Sequence, residues 1–293
     1  MSRFCRFLCL VYLVVLAEAP SRALAAQSAM EAATQAAVAL LDPELAPALV
    51  LAVGVGMDHR ALEPATPLGI FPGLEFGVSV IAAKPPSSLG TAFSNTFANL
   101  NGSSSSFSPI TDSVIPSLRF DLHKGIGNWV DLGVTVLPKM GAIPILSSSY
   151  FYGADLKFCV LNPQEGPTIA VRLSYSVNSF QFQQIRVTTT TWTPSLLISR
   201  KMGFADPYFG ASLQYATGKV NLDVDLSNLA PAISALLPGV SQLTVLQSGR
   251  AIAGNLFGGV SLKIPMVGLR LTLEGAYNTS GMAYVGTKVG LSF

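Results

Sequence analysis

The feature that most constrains this chain is an alternation of apolar and polar residues with period two. It recurs in segments of about 9–12 residues, the length a strand needs to cross a bilayer at a tilt. Counted back from the end, Phe293, Leu291, Val289, Thr287, Val285 and Ala283 share one face, and Ser292, Gly290, Lys288, Gly286 and Tyr284 share the other. Similar ladders run through Val267–Tyr277, Ile169–Asn178, Tyr152–Val160, Val130–Val136 and Leu118–His123. Others cover Leu74–Lys84, Trp192–Arg200, Tyr208–Thr217 and Ile252–Ile264. Successive side chains on a strand point to opposite sides. Each segment therefore has one apolar face and one face of small, polar or charged residues.

Two arrangements satisfy that pattern: a sandwich with its apolar faces inward, or a barrel with them outward. Half of the chain is hydrophobic and only 12% is charged, against roughly 25% charged in ordinary soluble domains. No segment after the first offers 18 uninterrupted apolar residues, and Leu45–Met57 is broken by Pro47, Gly54 and Gly56. Helical membrane spans are excluded on that count. Charges of both signs recur on the minority face, and Tyr150, Tyr152, Tyr175, Trp192 and Tyr277 fall near segment ends, as interfacial girdles do. Backbone polar groups in lipid must all be paired, so a spanning sheet has to close. The expected fold is all-β, a closed antiparallel transmembrane barrel of about ten strands. The alternative is about 12 strands, counting Ala48–Asp58 as one of them.

The connections alternate in length. His123–Trp129, Asn162–Pro167, Lys201–Pro207 and Pro265–Gly268 read as tight turns, while Pro85–Pro116, Lys139–Ser149, Ser179–Thr191 and Asn221–Arg250 read as long loops. Short turns on one side and long loops on the other is the plan of bacterial barrels. Pro85–Pro116, which contains the Gly/Ser run Asn101–Ser106, reads as a mobile external loop. In Asp225–Gln247, Leu226, Leu229, Ile233, Leu236, Leu237 and Val240 follow helical spacing, so a helical external loop is expected there.

Residues 1–25 read as a signal peptide. Arg3 and Arg6 precede the apolar stretch Phe7–Ala17, and Ala23-Leu24-Ala25 supplies a small-x-small cleavage site. Residues 26–73 read as a helical, plug-like segment, with Ala-rich Met30–Leu41 as its helix, and 74–293 as the barrel. Cys5 and Cys9 leave with the signal. Cys159 is then alone and cannot close an intramolecular disulfide.

The charges expected to face the lumen are Glu75, Arg119, Asp121, Asp131, Asp155, Lys157, Arg172, Lys263, Arg270, Glu274 and Lys288. Their signs nearly cancel, which fits a salt-bridged interior and argues against ion selectivity, since that uses rings of one sign. With 18 Lys and Arg against 16 Asp and Glu, there is no polybasic patch for nucleic acid. Two His and three Cys leave no spacing for a metal site, and no cofactor motif is present. Asp58 and His59 are adjacent and would point apart on a strand, His123 shares a face with Asp121 but lies beside a short turn and away from the outer rim, and neither His has a serine context, so no enzyme is expected.

Val285, Val289, Leu291 and Phe293 carry a family resemblance. An ending with a terminal Phe and apolar residues at alternate positions before it resembles the last strand of Gram-negative outer-membrane barrel proteins. The resemblance implies location in the outer membrane, contact with its lipid, and recognition of this ending by the barrel-assembly machinery. The apolar loop and N-terminal segment also look like those of outer-membrane fatty-acid and hydrocarbon transporters, although the Asn-Pro-Ala motif of that family is absent. The expectation is a porin-like channel or uptake protein for small, apolar molecules, with a filled structural or surface-interaction barrel as the rival.

Overall fold

The computed structural model describes residues 35, 41–69, 72–101, 114–137, 149–163, 166–182, 185–225, 242–264 and 266–293. Ten strands form one closed antiparallel barrel. They are β1 (Leu74–Ala83), β2 (Ile115–Ile126), β3 (Val130–Leu137), β4 (Tyr150–Leu161), β5 (Thr168–Phe182), β6 (Ile185–Ser199), β7 (Ala205–Asp225), β8 (Gln242–Ile264), β9 (Leu269–Asn278) and β10 (Ala283–Ser292). Each strand pairs with its neighbours in sequence, and β10 closes on β1. The closing seam runs from Glu75 opposite Ser292 to Ala83 opposite Tyr284. At its base the amide of Phe293 donates to the Leu74 carbonyl at 2.8 Å, and the amide of Leu74 donates back at 3.1 Å.

The pleat sorts the side chains as the alternation requires. Phe76, Val78, Leu122, Val134, Leu156, Val171, Leu196, Leu213, Leu256, Leu271 and Val289 are exposed on the outside. Ser79, Arg119, Asp121, Thr135, Asp155, Ser174, Thr193, Gln214, Asn255, Thr272 and Lys288 are buried on the inside. Apolar groups outside and ionised groups inside invert the layout of a water-soluble sheet.

On the long strands this polarity reverses along one strand. Outward Phe209, Leu213 and Tyr215 of β7 give way to Thr217, Lys219 and Asn221, while inward Gln214 gives way to buried Ala216 and Val220. On β6, Ile198, Leu196 and Trp192 give way outside to Thr190, Thr188 and Arg186, and Thr193 and Thr191 inside to Val187 and Ile185. On β8, Leu256 and Ile252 give way outside to Arg250 and Ser248. The switch falls along one register row, because Trp192, Tyr215 and Ile252 are direct register partners. Tyr175 extends the row, its ring centroid 4.6 Å from that of Trp192. Below the row the wall is built for an apolar surrounding, and above it for water outside and an apolar core within.

That upper core is filled by two helices. Helix α1 (Leu45–Val50) continues into a π-helical turn, Leu51–Val55, and helix α2 (Ser87–Asn101) lies between β1 and β2. Leu45, Leu49, Val50 and Val53 pack with Leu89 and Phe93 of α2 and with Val187, Ala216, Val220 and Ala253 of the wall. The approach is close: a Cβ on Gly54 would lie 2.8 Å from that of Ala216 and 3.3 Å from that of Thr189.

Several expectations change here. Ala48–Asp58 is not a strand, so the barrel has ten strands and not 12. Its apolar side chains at helical spacing are enclosed by the wall and need no sheet. The first half of Pro85–Pro116 is helical, with Leu89, Ala92 and Phe93 as its buried stripe. Ser179–Thr191 is a hairpin whose strands reach Phe182 and Ile185. The β-branched run at 187–191 favours strand, and its reversed polarity is what made it read as a loop. Similarly, β7 extends to Asp225 and β8 begins at Gln242, so 242–247 is strand. The remainder of the expected helical loop, residues 226–241, lies outside the described residues, as do the expected signal peptide, the Gly/Ser run beyond Asn101 and, apart from Gln35 and Leu41, the expected Ala-rich helix.

Candidate functional site: the occupied lumen

From the π-helical turn onward the chain leaves regular structure and descends through the barrel. Residues 52–66 are all buried. Irregular backbone cannot satisfy its own polar groups, so the wall must do so. Thr191 Oγ1 donates to the Gly54 carbonyl at 2.9 Å. Arg119 donates to the carbonyls of Met57 at 2.9 Å and Asp58 at 2.6 Å, with its guanidinium 4.1 Å from the Phe151 ring centroid. Lys288 donates to the Ala61 carbonyl at 3.2 Å, and Lys157 to those of Pro64 and Thr66, each at 3.2 Å.

The side chains of the segment answer the charges of the wall. Asp58 accepts from Thr193 at 2.6 Å, Gln214 at 2.9 Å and Ser176 at 3.2 Å. His59 Nε2 lies 2.6 Å from Asp155 Oδ1. Arg60 lies 3.7 Å from Glu274 and stacks over the Tyr284 ring at 4.0 Å. Lower down, Thr66 donates to Asp206 at 3.0 Å and the Leu68 amide reaches both oxygens of Asp131 at 3.2 Å. Leu62, between Arg60 and Glu63, has φ 48°, a left-handed conformation unusual for a branched side chain.

Glu63 is the hub. Its carboxylate lies 3.1 Å from His123 Nδ1, 3.2 Å from Lys288 Nζ, 3.4 Å from Lys157 Nζ and 3.9 Å from Arg172 Nη2. Burial on its own would raise its pKa, but His123, Lys288, Lys157 and Arg172 together hold it well below the usual carboxylate value. The same cations reach second partners: Lys288 to Glu75 at 2.6 Å, Lys157 to Asp131 at 2.8 Å and Arg172 to Asp155 at 3.7 Å. Arg270 closes the network on Glu75 at 2.6 Å. In a low-dielectric interior such charges are tolerable only in mutual contact.

Of the charges expected at the lumen, Glu75, Arg119, Asp121, Asp131, Asp155, Lys157, Arg172, Arg270, Glu274 and Lys288 are buried, and Lys263 is half-buried. Asp121 accepts from Thr135 at 2.6 Å instead of joining the hub. Cys159 is buried and free, its thiol directed to the carbonyls of Leu161 and Ile169. Val285, Val289, Leu291 and Phe293 are exposed on the outer face. Sequence reasoning missed the threaded side of the network, Asp58, His59, Arg60 and Glu63, because a segment without a period gives no face. Asp206 could have been found, since it shares the parity of Tyr208 on β7.

At the upper mouth a cleft of about 450 Å³ lies between α1, α2 and β8, with Pro47, Ala48, Leu51, Ala92 and Ala251 among its walls. Inside the barrel, a small polar cavity around Asp58, Arg60, Arg172 and Glu274 admits about 20 Å³, room for about one water molecule.

No family model matches this chain, and no curated protein does. Among solved structures it is similar to Neisserial surface protein A, at 12% identity and TM-score 0.33 over 75% of this chain and 97% of that one. It is also similar to outer membrane protein Omp33 of Acinetobacter baumannii, at 8% identity and TM-score 0.28 over 75% and 98%. The attachment invasion locus protein Ail of Yersinia pestis aligns at 6% identity and TM-score 0.23 over 74% and 93%. At these values the likenesses do not extend to activity, ligand or partner.

Proposed function

We propose that this chain is an integral outer-membrane barrel whose resting state is closed to solutes by its own residues 45–69. The observation that carries the reading is the Glu63 hub: strand cations that could line a water-filled pore are neutralised by one carboxylate of the threaded segment. A surface-exposed, filled barrel fits this better than an open porin. The outward apolar band supports membrane insertion, with the leader-like residues 1–25 for export and the Phe293 ending for the assembly machinery. Planar-bilayer recording of the refolded chain tests the closure. The wild type is expected to be silent, whereas a variant lacking 45–69 that still resists detergent unfolding should conduct in ohmic steps. Steady conductance by the wild type would refute the filled lumen.

A second reading, uptake of small apolar molecules, is favoured by the cleft at the mouth, whose walls are mainly apolar. Energy transfer to an apolar fluorophore from a Trp replacing Ser88, an exposed wall residue of the cleft, would support it, and no transfer at saturating probe would remove it.

A further inference from the structure

We propose that the barrel carries the amino-terminal end of its own chain across the membrane and displays it at the outer mouth, an inference that rests on the membrane reading above. One wall strand records the path. Along β7, Gly218 lies against Val50 and Ala216 against Gly54, Gln214 donates to Asp58 at 2.9 Å, and Asp206 accepts from Thr66 at 3.0 Å. As the threaded segment advances from Val50 to Thr66, its partner on β7 moves back from Gly218 to Asp206. Strand β6 runs the other way and gives the mirror order: Thr191 meets Gly54, Thr193 meets Asp58 and Ser199 meets Thr66. A count along a single strand does not depend on how the strands tilt or climb around the wall. The two ends of the segment also have partners at opposite rims. At the loop end the Asp42 amide donates to Thr96 Oγ1 of α2 at 3.1 Å, and Asn95 donates to the Asp42 carboxylate at 2.6 Å. At the turn end the backbone of Gly69 lies against Gly125, beside the turn that joins β2 to β3.

Length decides which side the end reaches. Gly218 and Asp206 are 12 residues apart on β7, which at about 3.3 Å per residue and a tilt of about 40° is roughly 30 Å along the barrel axis. The hydrocarbon core of a bilayer is about 30 Å thick, so the segment crosses the whole apolar layer once. Short turns face the periplasm and long loops face outside. Gly69 and the start of β1 are then periplasmic, and Asp42 is external. A return pass through the bore has no room, since the polar cavity beside the segment admits about 20 Å³. A return through lipid is too long. Residues 26–40, which precede the segment once the expected leader is removed, would reach roughly 22 Å even as a helix. Glu63 ties the segment to β2, β4, β5 and β10 through His123, Lys157, Arg172 and Lys288, which keeps it from being drawn back. Gln35, which is exposed, then stands outside the cell.

The test labels the full chain in intact cells with a maleimide polymer too large to pass the outer membrane. Two variants are compared in a Cys159→Ser background: Gln35→Cys, ahead of the segment, and Lys201→Cys, in the exposed turn between β6 and β7. Peptide mass spectrometry assigns the label to its residue. Intact cells should give complete labelling at position 35 and none at position 201, and lysed cells should give both. Labelling at 35 only after lysis, in a barrel that keeps its heat-modifiable mobility, overturns the proposal. So does labelling at 201 in intact cells, which would mean the opposite orientation. Fractionation of the same cells separates the causes. A chain absent from the outer membrane refutes the membrane reading, whereas an inserted barrel with position 35 shielded refutes the display alone.

Discussion

Glu63 on the threaded segment and Lys288 on the last strand meet at 3.2 Å inside the barrel, 225 residues apart in sequence. Lys288 bridges onward to Glu75, so one cation joins the segment to the closing seam of β1 and β10. The contact couples occupancy of the lumen to closure of the wall.

Removing the charge of Glu63 leaves Lys157, Lys288 and Arg172 short of a counter-ion in a buried site. Glu63→Gln is expected to destabilise the barrel by about 3 kcal/mol, read as earlier unfolding in urea by heat-modifiable electrophoretic mobility. Glu63→Asp should fall between the two. A Gln variant as stable as wild type would show that the hub does not hold the segment.

Acidity should release the segment late. Because the folded-state pKa of Glu63 lies well below its ordinary value of 4.5, its stabilisation is fully present above that value. It is lost only as the pH falls through the lower one. Protease protection of residues 45–69 is therefore expected to persist at pH 5 and to fail only well below pH 4.5. Loss of protection between pH 6 and pH 5 would contradict the assignment.

The polarity switch at the aromatic row predicts opposite responses to a charge placed outside. Leu196→Arg, within the apolar band of β6, should cost about 2–4 kcal/mol in a bilayer. Thr217→Arg, above the row on β7, should cost under about 1 kcal/mol. Unfolding titrations in lipid vesicles measure both. Equal costs would mean that the row does not mark an interface.

Truncation of Phe293 addresses the ending. Its amide and carbonyl both pair with Leu74, so the truncation removes a seam contact as well as an exposed aromatic. Phe293→Ala keeps the backbone pair. If the side chain is read by an assembly machinery, this substitution should lower the amount of barrel in the outer membrane several-fold in cells while leaving refolding yield in vesicles unchanged. Unchanged cellular levels would remove that role.

The barrel was legible because lipid and lumen impose a strict two-sided code, and every strand from Leu74 to Ser292 obeys it over some part of its length. It became illegible where the surroundings change. Val187 and Val220 point inward like Thr191 and Gln214 on the same strands, but they face an apolar cap and not a charged lumen. A pattern search that fixes one face as apolar stops at that point, which is why the upper hairpins read as loops. The lumen charges could be read strand by strand from parity. Their partners could not, because Asp58 to Glu63 follow no period and are ordered only by the wall around them. Tight packing hid the rest: Gly54 fits against Ala216 and Thr189 because it has no side chain, a requirement no local sequence signal announces.

The threaded lumen is tested most directly by a cross-link across it. The Cβ positions at Gly54 and Thr189 are 3.3 Å apart, close to the roughly 3.5–4.5 Å of a disulfide. In the variant Gly54→Cys, Thr189→Cys with Cys159→Ser, and with Ala216→Gly to clear the 2.8 Å contact that a Cβ at 54 would make, mild oxidation should join the two peptides in the mass spectrum of the inserted barrel. Water-soluble maleimide should label neither thiol before oxidation. Rapid labelling of both cysteines with no linked peptide would show that the segment lies outside the barrel and that the account is wrong.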